Sequence, residues 1–92
     1  MNKYSIHKTP SQIQSELAGR FKVIRKSRKL SQTELAEKSG VSYGSIRRFE
    51  YTGQISLESL LKLAHFFDQL DNFENIFVIN EDLKKIEKLF NQ

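Results

Sequence analysis

Apolar residues recur along most of the chain at spacings of three and four, the period of an amphipathic α-helix. Ile13, Leu17, Phe21 and Ile24 fall on one stripe of a first helix running to about Ser27. Thr9-Pro10-Ser11-Gln12 marks its start, with Thr9 as the cap, Pro10 at the first helical position and Gln12 as capping-box partner. A second helix, Gln32 to Ser39, opens at Ser31 with Glu34 three residues on, and turns Leu35 and Ala36 inward. Gly40 supplies the left-handed turn that ends it. Ser42 caps a third helix, about Tyr43 to Tyr51, with Ile46 and Phe49 on its inner face. Ser56 caps a fourth, which turns Leu57, Leu60, Leu61, Ala64 and Phe67 inward and breaks at Asp71-Asn72.

A single helical turn through Phe73 and Ile76 follows, and Phe77-Val78-Ile79 reads equally as a short strand or a helix end. Asn80 caps a final amphipathic helix with Leu83, Ile86, Leu89 and Phe90 on its apolar face. The pattern predicts an all-α fold, a compact bundle of about five helices with a helix-turn-helix at its centre and a C-terminal helix or extension. Residues 1–9 form a flexible arm, 10–78 the domain, and 79–92 the helical extension. The last stripe has three readings: it covers the domain's own core, forms the seam of a homodimer, or docks a partner protein.

Composition narrows the chemistry. The 92 residues contain no cysteine, which removes disulfides, thiolate metal sites and a cysteine nucleophile together. No apolar run approaches the roughly 18–20 residues of a membrane span, and the start lacks the apolar stretch of a signal peptide. A cytoplasmic protein is expected. His7 and His65 lie far apart in sequence, and His65 beside Asp68 reads as an ordinary helix residue. Ser42-Tyr-Gly-Ser45 has no strand before it and no histidine base, so it is no nucleophile elbow. No Gly-x4-Gly-Lys loop is present. No catalytic residue, metal site or cofactor is therefore expected.

The net charge of +4 is unevenly spread. Residues 1–30 hold eight Lys/Arg against Glu16 alone, residues 31–55 are neutral, and residues 56–92 hold four basic against seven acidic residues. One end of the molecule suits a polyanion and the other does not.

The informative stretch is Gln32 to Glu50, two short helices either side of a Gly-Val-Ser turn. Ala36 is small where the helices cross, Gly40 permits the bend, and Val41 and Ile46 pin the second helix onto the first. That spacing projects the second helix outward, as entry into a major groove about 12 Å wide requires.

Leu30-Ser-Gln-Thr-Glu-Leu-Ala-Glu-Lys-Ser-Gly-Val-Ser42 and Ser56-Leu-Glu-Ser-Leu-Leu-Lys-Leu-Ala64 resemble the lambda-repressor-like, Xre/Cro class of helix-turn-helix DNA-binding proteins. The resemblance covers about residues 13–77. It implies a double-stranded DNA partner, a homodimer on a palindromic operator, repression by occlusion, and association with the nucleoid. Tyr43, Gly44, Arg47 and Arg48 would face base edges; Gln32, Ser42, Lys22, Lys26, Arg28 and Lys29 would hold phosphates. Arg25 and Glu50 would form a buried ion pair between the first and third helices. The plain alternative for Arg47, Arg48 and the run Arg25–Lys29 is a solvated helix surface.

One departure stands out: Tyr51-Thr-Gly53-Gln-Ile55 is one residue shorter than the family's usual loop and carries no charge. Phe49-Glu-x-Thr-Gly-x-Ile-Ser-Leu57 and Leu70-Asp-Asn-Phe-Glu-Asn-Ile-Phe77 further resemble small antitoxins of the HipB kind, which would imply a HipA-type kinase toxin as partner. The competing class is a helix-turn-helix adaptor that docks proteins, with incidental DNA affinity.

Overall fold

The start signals become helices where the side chains close their hydrogen bonds. In the computed structural model, which describes residues 7–79 and residue 87, α1 spans Pro10–Ser27, α2 Gln32–Ser39, α3 Tyr43–Thr52 and α4 Leu57–Phe66. A 3-10 turn, Leu70–Phe73, follows α4. The described residues are all helix, turn and loop, with no strand. Thr9 Oγ1 accepts from the Gln12 amide at 3.1 Å while Gln12 Oε1 accepts from the Thr9 amide at 2.8 Å. Ser31 and Glu34 close the same reciprocal box at 3.0 and 2.8 Å. Ser42 and Ser56 each accept one amide, from Ser45 and Ser59. Four helix starts are thus satisfied by the residues beside them.

The core sits where α1 and α2 pack on α3 and α4 closes over α2. Leu35, Ile46, Phe49 and Leu63 are fully enclosed, and Ala18, Phe21, Val41 and Phe67 complete the cluster. Phe21 lies 5.3 Å from Phe49 and 5.9 Å from Phe67, centroid to centroid, in tilted and edge-on geometries. Such rings contribute about 0.5–1.5 kcal/mol per pair beyond the area they bury.

The inner faces differ from the sequence pattern at two helices. On α4 the enclosed residue is Leu63, at 1% exposure, whereas Leu57 is 65% exposed. Leu57 is the first residue of α4 and stays exposed there. On α1, Ile13 is exposed and the buried face runs through Ala18, Phe21 and Arg25, flanked by Leu17 and Ile24. A stripe drawn through the largest residues overlooked a small residue and a charged one.

Four α-helices and one 3-10 turn occupy the described residues; the further helix expected after Asn80 lies outside them. α4 stops at Phe66, because Asp68 takes the left-handed conformation (φ 58°), and Asp71-Asn72 lies inside the 3-10 turn instead of breaking α4. Phe77-Val78-Ile79 is neither strand nor helix: Phe77 has φ 66° and the segment is exposed. Residues 1–6 of the arm, the Asn80 cap and the apolar positions Leu83, Ile86, Leu89 and Phe90 lie outside the described residues.

Two glycines end helices with φ 80°: Gly40 after α2 and Gly53 after α3. They differ in surroundings. A Cβ on Gly40 would meet nothing within 4 Å, but on Gly53 it would lie 3.1 Å from Gln14 Cβ and 3.2 Å from the Gln14 carbonyl carbon. Gly53 is therefore where the end of α3 rests on the start of α1. We expect Gly40→Ala to cost the left-handed strain alone, about 1–2 kcal/mol. Gly53→Ala carries that strain and the contact with Gln14, so its urea midpoint should fall further. Equal midpoints for the two variants would contradict this packing.

Candidate nucleic-acid interface

Arg25 reaches the interior from the buried face of α1 and meets Glu50 of α3. Its Nε donates to Glu50 Oε2 at 2.6 Å and its Nη2 to Oε1 at 2.9 Å, a two-pronged pair. The third nitrogen, Nη1, donates to the Leu30 carbonyl at 2.8 Å and so holds the turn between α1 and α2. Gln32, the first residue of α2, donates Nε2 to Glu50 Oε1 at 2.9 Å. One carboxylate thereby ties α1, α2 and α3. The two charged side chains keep only 9% and 4% of their exposure.

Burial pushes the Glu50 carboxyl up, but the hydrogen bonds from Arg25 and Gln32, with the charges of Arg25 and Lys22, outweigh it and leave the group below its ordinary value. Hydrogen bonding to Glu50 raises Arg25 against the opposing effect of its own burial. Removing either partner strands the other charge, which typically costs about 3–5 kcal/mol.

Above this pair lies an open depression of about 950 Å³ between α1 and α3. Arg25, Glu50 and Gln32 line it, together with Ser31, Lys22 and Lys26 on one side and Tyr43, Gly44, Arg47, Arg48, Tyr51 and Thr52 of α3 on the other. Among the described residues, the only carboxylate in this lining is Glu50, already paired with Arg25. Lys22, Lys26, Arg47 and Arg48 are exposed, and none has a carboxylate at ion-pair distance among the described residues. Four cations without counter-charges on a concave surface attract a polyanion.

The outer face of α3 carries Tyr43, Arg47 and Tyr51 at i, i+4 and i+8, beside Gly44 and Arg48. Tyr51 is 90% exposed and was not among the sequence candidates. Its spacing from Tyr43 and Arg47 was the available signal. A Cβ built on Gly44 meets nothing within 4 Å, so the protein itself does not require a glycine there.

Some candidates stand elsewhere. Arg28 places Cζ 5.3 Å from the Phe67 ring centroid, a cation–π contact on the flank of the core. Lys29 is exposed in the left-handed turn after α1 (φ 57°), and like Arg28 it does not line the depression. Ser42 is also outside it: its hydroxyl caps α3 and donates to Ser45 Oγ at 2.9 Å. Gln32 lines the depression, but one amide hydrogen is committed to Glu50. Leu83, Ile86, Leu89 and Phe90 are outside the described residues.

Among the described residues, no cluster of three His, Cys, Asp or Glu side chains has metal-binding geometry, and no helix is long and apolar enough to cross a membrane. The helix-turn-helix family model matches residues 21–71, more than half of the chain. The chain belongs to the helix-turn-helix family, in its Xre/lambda-repressor-like form, a family of DNA-binding regulators. Neither a curated protein nor a solved structure gives a significant match.

The carboxyl of Glu50 and that of Glu34, lowered by its hydrogen bonds with Ser31, both sit below their ordinary values in the folded chain. The unfolded chain therefore binds protons first on acidification. Stability should be fully present above about pH 5 and fall as pH drops through about 4.3 toward the folded values. Urea unfolding between pH 6 and 3 measures this, and Glu50→Gln, though weaker throughout, should show the shallower acid slope. An unchanged slope in that variant would place the acid sensitivity elsewhere.

Proposed function

We propose that this chain is a sequence-specific, double-stranded DNA-binding transcriptional repressor that acts as a homodimer on a palindromic operator. The observation that carries the reading is the set of four exposed cations, Lys22 and Lys26 of α1 and Arg47 and Arg48 of α3, none at ion-pair distance from a carboxylate among the described residues. α3 enters the major groove. Arg48 offers a two-donor edge to guanine O6 and N7, and Tyr43 packs on a thymine methyl. Gly44, with open space at its Cα, lets the backbone come close to a base pair. Arg47 reaches base edges from the same face of α3 and Tyr51 extends that face toward the groove wall, while Lys22, Lys26 and Gln32 hold the backbone from α1 and the start of α2. Ser42, Arg28 and Lys29 extend the phosphate contacts at the edges.

A helix-turn-helix unit offers few base contacts, and two-fold dimers reading half-sites one helical turn apart are the general solution. Occlusion of a promoter then gives repression. The chain further reads as an autoregulating antitoxin whose partner is a HipA-type kinase. That reading is supported by the motifs at Phe49–Leu57 and Leu70–Phe77 and by the exposed run Ile76, Phe77, Val78 and Ile79 beside Asp71 and Glu74. A protein-docking adaptor would use the same run without needing the cations.

Titrating a labelled duplex from the upstream region at several salt concentrations tests the proposal. The wild type should give a complex of two chains per duplex whose affinity falls steeply with salt. Arg48→Ala should cost about 1–3 kcal/mol and relax selectivity at one base pair. Equal, weak binding to scrambled DNA would refute the repressor reading and leave the adaptor.

A further inference from the structure

Arg48 is set apart from its neighbour Arg47 by what holds it. Its Nη2 donates to Gln54 Oε1, in the loop after α3. Gln54 is fixed in turn: its amide donates to Thr52 Oγ1 at 3.1 Å, and the Thr52 hydroxyl donates to the Arg48 carbonyl at 2.7 Å. The three residues close a loop of hydrogen bonds that begins and ends on Arg48. Arg47 makes no side-chain hydrogen bond among the described residues and is exposed. Arg48 also borders a second, smaller hollow of about 370 Å³ with Ser45, Gln54, Ile55 and Ser56, so its side chain stands on the ridge between two depressions.

A guanidinium has five N–H donors in a rigid plane. Whichever Nη2 hydrogen Gln54 accepts, the other still forms a complete two-donor edge with the adjacent nitrogen. The contact therefore orients the group without consuming its ability to grip two acceptors at once. A free arginine loses rotamer freedom when it docks, and one already held loses less.

We infer that Gln54 is a positioning residue that pre-orders Arg48 for reading a base pair, so that the short uncharged loop after α3 acts on specificity through Arg48. The inference rests on the DNA-binding reading for its consequence, but not for the ordering itself. In the free protein, the Nε–H of Arg48 should be more ordered by NMR relaxation than that of Arg47, and Gln54→Ala should remove the difference. Gln54→Glu keeps an acceptor and should retain it. Equal mobility of the two arginines in the wild type overturns the proposal, whatever the protein binds.

On DNA, Gln54→Ala should weaken the cognate duplex about two- to tenfold, the loss expected from freeing one long side chain. Binding to scrambled DNA and the salt slope should stay the same, and the loss should vanish in an Arg48→Ala background. Tighter cognate binding would show that Gln54 sequesters Arg48. An equal loss in the Arg48→Ala background would reduce Gln54 to a structural role. Either result overturns the proposal. If the wild type shows no specific complex, the repressor reading fails while the relaxation measurement still decides whether Arg48 is held.

Discussion

The Glu50 carboxylate is the point on which the arrangement of this molecule depends. It accepts two hydrogen bonds from Arg25 and one from Gln32, and Arg25 uses its remaining nitrogen on the Leu30 carbonyl. Three helices and one turn are thus referred to a single buried group. Apolar packing of Leu35, Ile46 and Phe49 holds α3 against the core but does not by itself fix one angle or register. A directional, largely desolvated pair does, because any rotation of α3 breaks its hydrogen bonds at a cost that partial access of water does not fully repay. Such pairs are weak evidence for net stability, and their value here is geometric.

The same pair shapes the surface charge. By neutralising Glu50 it leaves unpaired charge of one sign in the described lining of the depression, although α3 contributes an acid to that lining. Residues 56–92 hold seven acids, and among the described residues none of these lines the depression. A modest net charge therefore conceals a polyanion-facing side and an acidic remainder. Tyr43 and Tyr51 add flat apolar area to the basic face, and Gly44 leaves a gap in it.

Much of the fold was legible because its signals are local. A cap and its partner three residues later lie within one turn, so Thr9 with Gln12 and Ser31 with Glu34 could be read directly from the chain, as could the left-handed end at Gly40. Burial is a property of neighbours, and there the stripe method failed. Leu57 and Leu63 are equally apolar, but only Leu63 lies under another helix. Asp68 ended α4 without a glycine to announce it. The Arg25–Glu50 pair was reached through family resemblance, since two charges separated along the sequence carry no local sign of contact. Gln32 binding Glu50, Arg28 resting on Phe67 and Gln54 holding Arg48 are contacts between residues far enough apart that no spacing rule reaches them.

If the carboxylate serves orientation more than stability, the two roles are separable. Replacing both charges together, as Arg25→Met with Glu50→Leu, removes the desolvation penalty along with the attraction and should leave a folded, cooperative protein close to wild type in urea stability. Gln32 then loses its anchor and α3 its fixed angle, so the affinity for a cognate duplex should fall about tenfold or more, the loss of one charged hydrogen bond. Titration of that duplex with the double variant, alongside its unfolding curve, is the most direct test. A fully folded double variant that binds with wild-type affinity and selectivity would contradict the account.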